Sequence, residues 1–257
     1  QLKLDPGPSS MQWEIRFELG VLLQQEGRIP DAMAEEKAAL DIRKAVLKAG
    51  DADLITSKMA YGNLLQNAGQ LKEAEVYVRE AMGDAETYLP ADNATTVLAQ
   101  QTLASLLRDL GRSDEAVTVQ ERAVARARAM DPNSDLLGQA LGLLGVIRID
   151  QARPAEAETA FVQANEVLIK IHGHDSRVVA LTLANAATAA RQQGKYQVSA
   201  DRYAECLAIL ARMGEPDPFL SAQTRQQRAI ALDYAGHREE ALAEARTAAD
   251  WMKANLP

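Results

Sequence analysis

His172-Gly173-His174-Asp175 sets two imidazoles and a carboxylate within four residues, a stretch whose side chains could begin a transition-metal site. A stable site needs three or four convergent donors. The remaining histidine, His237, stands 63 residues further on, so no metal is expected here. Glu35-Glu36 and Glu239-Glu240 are adjacent carboxylates that could serve acid–base work if one were buried; on their helices they are expected to be solvated outer surface. Cys206 is the single cysteine, which excludes an intrachain disulfide. The sequence lacks a glycine-rich phosphate loop after a strand, a Gly-x-Ser-x-Gly elbow, His-Glu-x-x-His and paired Cys-x-x-Cys. The expectation is a chain that is not an enzyme and takes no cofactor.

What would position any of these groups is a repeat. Gly27, Gly69, Gly111, Ala152, Gly194 and Gly236 recur every 41 or 42 residues. Five residues after each stands Ala32, Ala74, Ala116, Ala157, Ser199 or Ala241, and seven later Ala39, Ala81, Ala123, Ala164, Cys206 or Ala248. Seven residues before each stands Gly20, Gly62, Ala104, Gly145, Ala187 or Ala229. Two helices approach closely only where side chains are small, so each unit reads as an antiparallel helical hairpin around a tight turn. Cys206 takes an alanine position and is expected to be a small buried hydrophobe rather than a reactive thiol.

This pattern of small residues around a turn resembles the tetratricopeptide repeat over about residues 11 to 255. The usual unit of that family is about 34 residues, and one more helical turn per helix absorbs most of the excess. The longer variant is similar to the repeats of kinesin light chains and of many bacterial sensor and scaffold proteins; residues 171–179, leading into Leu183-Ala184-Asn185-Ala186, carry the closest match. The fold this implies is all-α: a right-handed α-solenoid of six antiparallel helix hairpins. Residues 1–10 read as a flexible leader, linker or cloning remnant, and the units as about 11–52, 53–93, 94–134, 135–175, 176–217 and 218–257.

Composition agrees, with three Phe and nine Pro in 257 residues. A net charge of −8 argues against a nucleic-acid partner, because phosphate binding draws on clustered Lys and Arg. No apolar run reaches the roughly 18 residues of a membrane span, so no membrane insertion is expected. Without a visible signal peptide, a soluble cytoplasmic chain is favoured over a periplasmic one, although the compartment stays open.

First helices are expected at about 11–26, 53–68, 94–110, 135–151, 176–193 and 218–235, and second helices at about 29–49, 71–88, 113–130, 154–172, 196–213 and 238–254. Asp53, Asn93, Asp135, Asp175 and Asp217 are placed to cap first helices. Pro218, Pro30 and Pro154 suit first-turn positions. The resemblance implies that first helices line a concave groove for a peptide or partner protein. Its candidate contacts are Gln24, Asn63, Gln66, Asn67, Thr102, Ser105, Arg108, Asn185, Thr188, Arg191 and Gln227. Asn and Gln both donate and accept, which matches an extended backbone. Arg108 and Arg191 offer a charged hydrogen bond to a carboxylate. Asn185 stands where kinesin-light-chain-like repeats carry a peptide-contacting asparagine.

At the ends, Ala241, Leu242, Ala245, Ala248, Ala249 and Met252 fit packing inside their own hairpin, with Trp251 and Leu256 alongside, while Trp13 and Phe17 are expected to form an exposed edge. Three functions follow: a binding scaffold, a sensory or recruiting domain of a larger regulator such as one joined to a protease or kinase, and a homo-oligomer assembled through its terminal repeats.

Overall fold

At all six turn positions the backbone enters the left-handed region, with φ of 74° at Gly27, 75° at Gly69 and Gly111, 56° at Ala152, 76° at Gly194 and 89° at Gly236. The following amide reaches back five residues at every turn, as in Arg28 N–H to the Leu23 carbonyl at 2.9 Å and Arg153 N–H to the Arg148 carbonyl at 2.9 Å. This bond ends the first helix and launches the second in the reverse direction. Ala152 is the one described non-glycine residue with positive φ.

The structure, a computed structural model, describes residues 8–214 and 218–255. Among these are twelve helices and no strand: α1 (Pro8–Gln25), α2 (Ile29–Val46), α3 (Ala52–Asn67), α4 (Leu71–Tyr88), α5 (Ala94–Asp109), α6 (Ser113–Met130), α7 (Asp135–Asp150), α8 (Pro154–His172), α9 (Arg177–Gln192), α10 (Tyr196–Arg212), α11 (Pro218–Tyr234) and α12 (Arg238–Asn255). The expected boundaries hold within three residues. Helix α1 begins at Pro8, inside the expected leader, whose residues 1–7 lie outside the described residues.

The caps differ in detail. Asn93 caps α5 as expected, accepting from Thr95 N at 2.8 Å. Asp51, not Asp53, caps α3; Ser134, not Asp135, caps α7; and Ser176, not Asp175, caps α9. In each case a residue one or two positions away, upstream for α3 and α7 and downstream for α9, takes the extended conformation a cap requires, leaving the expected aspartate elsewhere. Asp217 lies outside the described residues. Pro30 and Pro154 occupy the first turns of α2 and α8.

The chain divides into two compact units, Gln1–Arg126 and Ala127–Pro257. In both, the small positions lie at the seam of each hairpin. A Cβ on Gly62 would lie 2.4 Å from Val78 Cγ2, and one on Gly145 would lie 2.6 Å from Phe161 Cε1. The glycine lets the residue nine after the turn fill the seam. That place is taken by Glu36, Val78 and Gln120 in the first unit and by Phe161 and Tyr203 in the second, all buried. Glu36 therefore corrects the expectation of solvated surface: only 6% exposed, it lies over Gly20, and burial raises its pKa against the pull of Arg43. Cys206 is fully buried as expected, with its thiol pushed up to about 11 by burial, partly offset by Thr224.

The first unit buries polar groups in addition. Lys58, 2% exposed, meets Glu80 Oε1 at 2.7 Å and Asp84. Burial lowers its pKa, yet hydrogen bonds to Asp84 and Glu80 outweigh it and leave the ammonium raised. Gln100, also buried, donates to Glu86 at 2.9 Å.

In the second unit, Glu158 joins three partners: Gln193 Nε2 at 2.7 Å, Lys195 Nζ at 2.8 Å and Arg202 Nη1 at 2.5 Å. Burial pushes its carboxyl up, but the hydrogen bonds from Lys195, Arg202 and Gln193 prevail and bring it down to about 2. A depressed acid stabilises the fold above its free value, about 4.5, and that contribution fades as pH falls towards 2. Glu158→Gln is therefore expected to cost about 1–3 kcal/mol at neutral pH. Urea titrations of both proteins at stepped pH check this: the gap should narrow below pH 4.5, and a gap constant down to pH 2 would contradict it.

Candidate peptide-binding face

Successive first helices touch one another within each unit: α3 meets α5, and α7 and α11 both meet α9. Side chains on these helices that point away from the second helices consequently form one face per unit.

In the first unit that face is rich in amides. Asn63 and Asn67, one turn apart on α3, are both exposed, and Gln24 on α1 and Thr102 on α5 are half-buried. Gln66 Nε2 donates to Asp109 Oδ2 at 2.6 Å and lies 3.3 Å from Ser105 Oγ, linking α3 to α5. Arg108 pairs with Asp109 at 3.6 Å. The structure thus draws Gln66, Ser105, Arg108 and Asp109 into one polar cluster with Asn63 and Asn67 on the same helix. Met59, one turn before Asn63 on α3, is buried in the core beside Ile55 and Ala81.

In the second unit Asn185 is exposed on α9 and Gln227 is half-buried on α11. Thr188 is already engaged: its hydroxyl donates to the Ala184 carbonyl at 3.1 Å and lies 2.7 Å from the Tyr203 hydroxyl. Arg191 also hydrogen-bonds Tyr203, whose pKa burial raises and these two contacts moderate. The Arg191 Nε is buried without a partner, and no described carboxylate lies within ion-pair distance. Its guanidinium is thus anchored by a buried phenol. Sequence reasoning missed Tyr203. Its place nine after Gly194, shared with Phe161 and Val78, was the available signal.

His172 Nε2 contacts Asp135 Oδ1 at 2.5 Å and Asp175 pairs with Arg212 at 2.8 Å, so the stretch serves local contacts. Among the described residues no three His, Cys, Asp or Glu side chains gather as a metal site, and no helix is long and apolar enough to cross a membrane.

A family model of the tetratricopeptide repeat matches residues 94–168 and 136–212. These are tetratricopeptide repeats. Their long, kinesin-light-chain-like form shows in solved structures of the same fold. BtubC (BKLC) from P. vanneervenii is 20% identical with a TM-score of 0.72, covering 94% of this chain and 91% of its own. A Podosopora anserina chain assigned as a kinesin light chain, with nearly identical TPR-like repeats, is 18% identical with a TM-score of 0.71, over 82% of this chain and 99% of that one. A Rap protein complexed with Competence and Sporulation Factor is 14% identical with a TM-score of 0.69, over 98% of this chain and 76% of that one. No protein of curated function matches the sequence. The likeness to these solved structures extends to the fold alone.

Proposed function

We propose that the protein is a non-catalytic interaction scaffold that holds an extended peptide or partner-protein segment against the inner faces of its first helices. The observation that carries this reading is the set of exposed amides on those helices, Asn63, Asn67 and Asn185, standing beside Gln66 and Arg191. Side-chain amides can satisfy both polar groups of an extended backbone. Arg191, with no carboxylate partner among the described residues, suits an acidic side chain or chain terminus. Gln24, Thr102, Ser105, Arg108, Thr188 and Gln227 complete the proposed contacts, with Thr188 acting chiefly to hold Tyr203.

The test compares immobilised parent with an Asn63→Ala, Asn185→Ala, Arg191→Ala variant of equal helical content, followed by affinity measurement on the retained peptides. Losing three hydrogen-bonding groups should weaken binding about tenfold or more. Equal retention by both would remove the inner face from consideration.

A second reading, the sensory or recruiting repeat domain of a larger regulator, is favoured by the fold-level likeness to the Rap protein, which was solved with a bound factor. Both readings use the same residues in each unit. An effector domain encoded in the same gene supports the second; a capture set independent of any effector supports the first.

A further inference from the structure

Helix α1 carries Ile15, Leu19 and Leu22 on one face, exposed at 59%, 41% and 57%. In the repeat register these stand twelve, eight and five residues before the turn. All five counterparts of Leu22, from Leu64 to Ala231, are at most 2% exposed, and all five counterparts of Ile15 at most 8%. Within each unit the preceding hairpin covers such positions: Leu64 packs with Leu23 and Ala32, Ala99 with Ala81 and Ala85, and Ala189 with Ala157 and Phe161. The register thus makes the α1 face one that a hairpin covers.

The opposite end offers the matching shape. Nine residues after the turn, where Val78, Phe161 and Tyr203 fill their seams, hairpin six has Ala245, and it is exposed. A hollow remains between α11 and α12, lined by Ile230, Asp233, Arg238 and Leu242, the last 49% exposed. Where α8 meets α9, bulk on the second helix (Phe161) faces smallness on the next first helix (Ala186, Ala189). The two ends reverse this trade: bulk stands on α1 and smallness on α12. Pairing α1 with α1 would oppose bulk to bulk, and pairing α12 with α12 would leave two hollows. Charge points the same way. Arg79, ten after its turn, pairs with Glu115, four after the next, at 2.5 Å. At the ends Arg246 is the residue ten after Gly236 and Asp31 the residue four after Gly27.

We propose that the protein associates with itself head to tail, the α1 face of one molecule seating in the α11–α12 hollow of a second copy. Such a contact is heterologous, so it extends into a chain of molecules or closes into a ring.

Sedimentation velocity on the full chain tests this. The weight-average mass should rise about twofold or more between about 1 and 100 µM. Leu22→Glu and Leu242→Glu, each checked for unchanged helicity, should each stay at 27.9 kDa alone, because each lacks one half of the joint. Mixed in equal amounts they retain one good joint between them and should give twice that mass and nothing larger. Arg246→Glu should weaken association, and adding Asp31→Arg should recover it. A parent that remains at 27.9 kDa throughout overturns the proposal, as does a Leu242→Glu variant that assembles like the parent.

Discussion

Phe161→Ala is expected to lower unfolding stability by about 3–5 kcal/mol, because the ring is 2% exposed and its removal leaves a cavity in the seam. The ring lies where Gly145 has no side chain, among Ala157, Ala186 and Ala189. Adding a methyl there with the ring present, Gly145→Ala, should itself cost about 1–3 kcal/mol, since three ring carbons stand within 2.7 Å of the new Cβ. The two changes share one volume, so they should not add. The double variant should be no less stable than Phe161→Ala alone, because the new methyl enters the vacated space and alanine favours the helix over glycine. Urea denaturation followed by helical ellipticity measures all three, and simple additivity would contradict the face-to-face packing of α7 and α8.

The second large effect concerns Lys58. Removing both carboxylates that surround it, Glu80→Ala with Asp84→Ala, leaves a 2% exposed ammonium without an anion and should cost about 3–5 kcal/mol. Replacing the lysine as well, Lys58→Met, removes the stranded charge and should return most of that loss, since an apolar side chain of similar length suits the same space. Stability of the triple variant therefore decides the matter: if it is as poor as the double, the charge was not what made the double unstable.

The sequence made the hairpins legible because the turns demand positive φ and the seams demand small residues, and both requirements are local. Even Ala152, without the freedom of glycine, was identifiable from its register. Side chains whose fate depends on the neighbour across the seam were less so. Glu36 looked like half of a solvated pair, yet its offset of nine from Gly27 places it over Gly20. Its raised pKa acts oppositely to that of Glu158: its contribution to stability is greatest below about 4.5 and declines as pH rises through the folded value. Trp13 and Phe17 were expected at an exposed edge, but both are half-buried. The Arg43 guanidinium lies 3.7 Å from the Trp13 ring centroid and 5.4 Å from that of Phe17. No periodicity announces a buried arginine; burial lowers its pKa, and Asp53, Glu14 and Asp51 oppose that shift. The true edge consists of Ile15, Leu19 and Leu22. At the other end Ala241 and Ala248 pack inside their hairpin as expected, whereas Leu242, Ala245 and Ala249 do not, and Leu256 lies outside the described residues. On the proposed binding face, the amides were readable from the register, while Tyr203 beside Arg191 required the second helix to be in place.

The buried polar groups of the first unit also solve a problem peculiar to repeats. Hairpins of nearly identical backbone could exchange places during folding, one substituting for another or pairing with its counterpart on a second molecule. Gln100, on α5, reaches Glu86 on α4 of the hairpin before it, so its buried amide meets that carboxylate only when those two hairpins are neighbours. Seams filled by valine or phenylalanine carry no such address. An amide lodged against the wrong hairpin would be buried without its carboxylate, which favours one order among otherwise similar pieces.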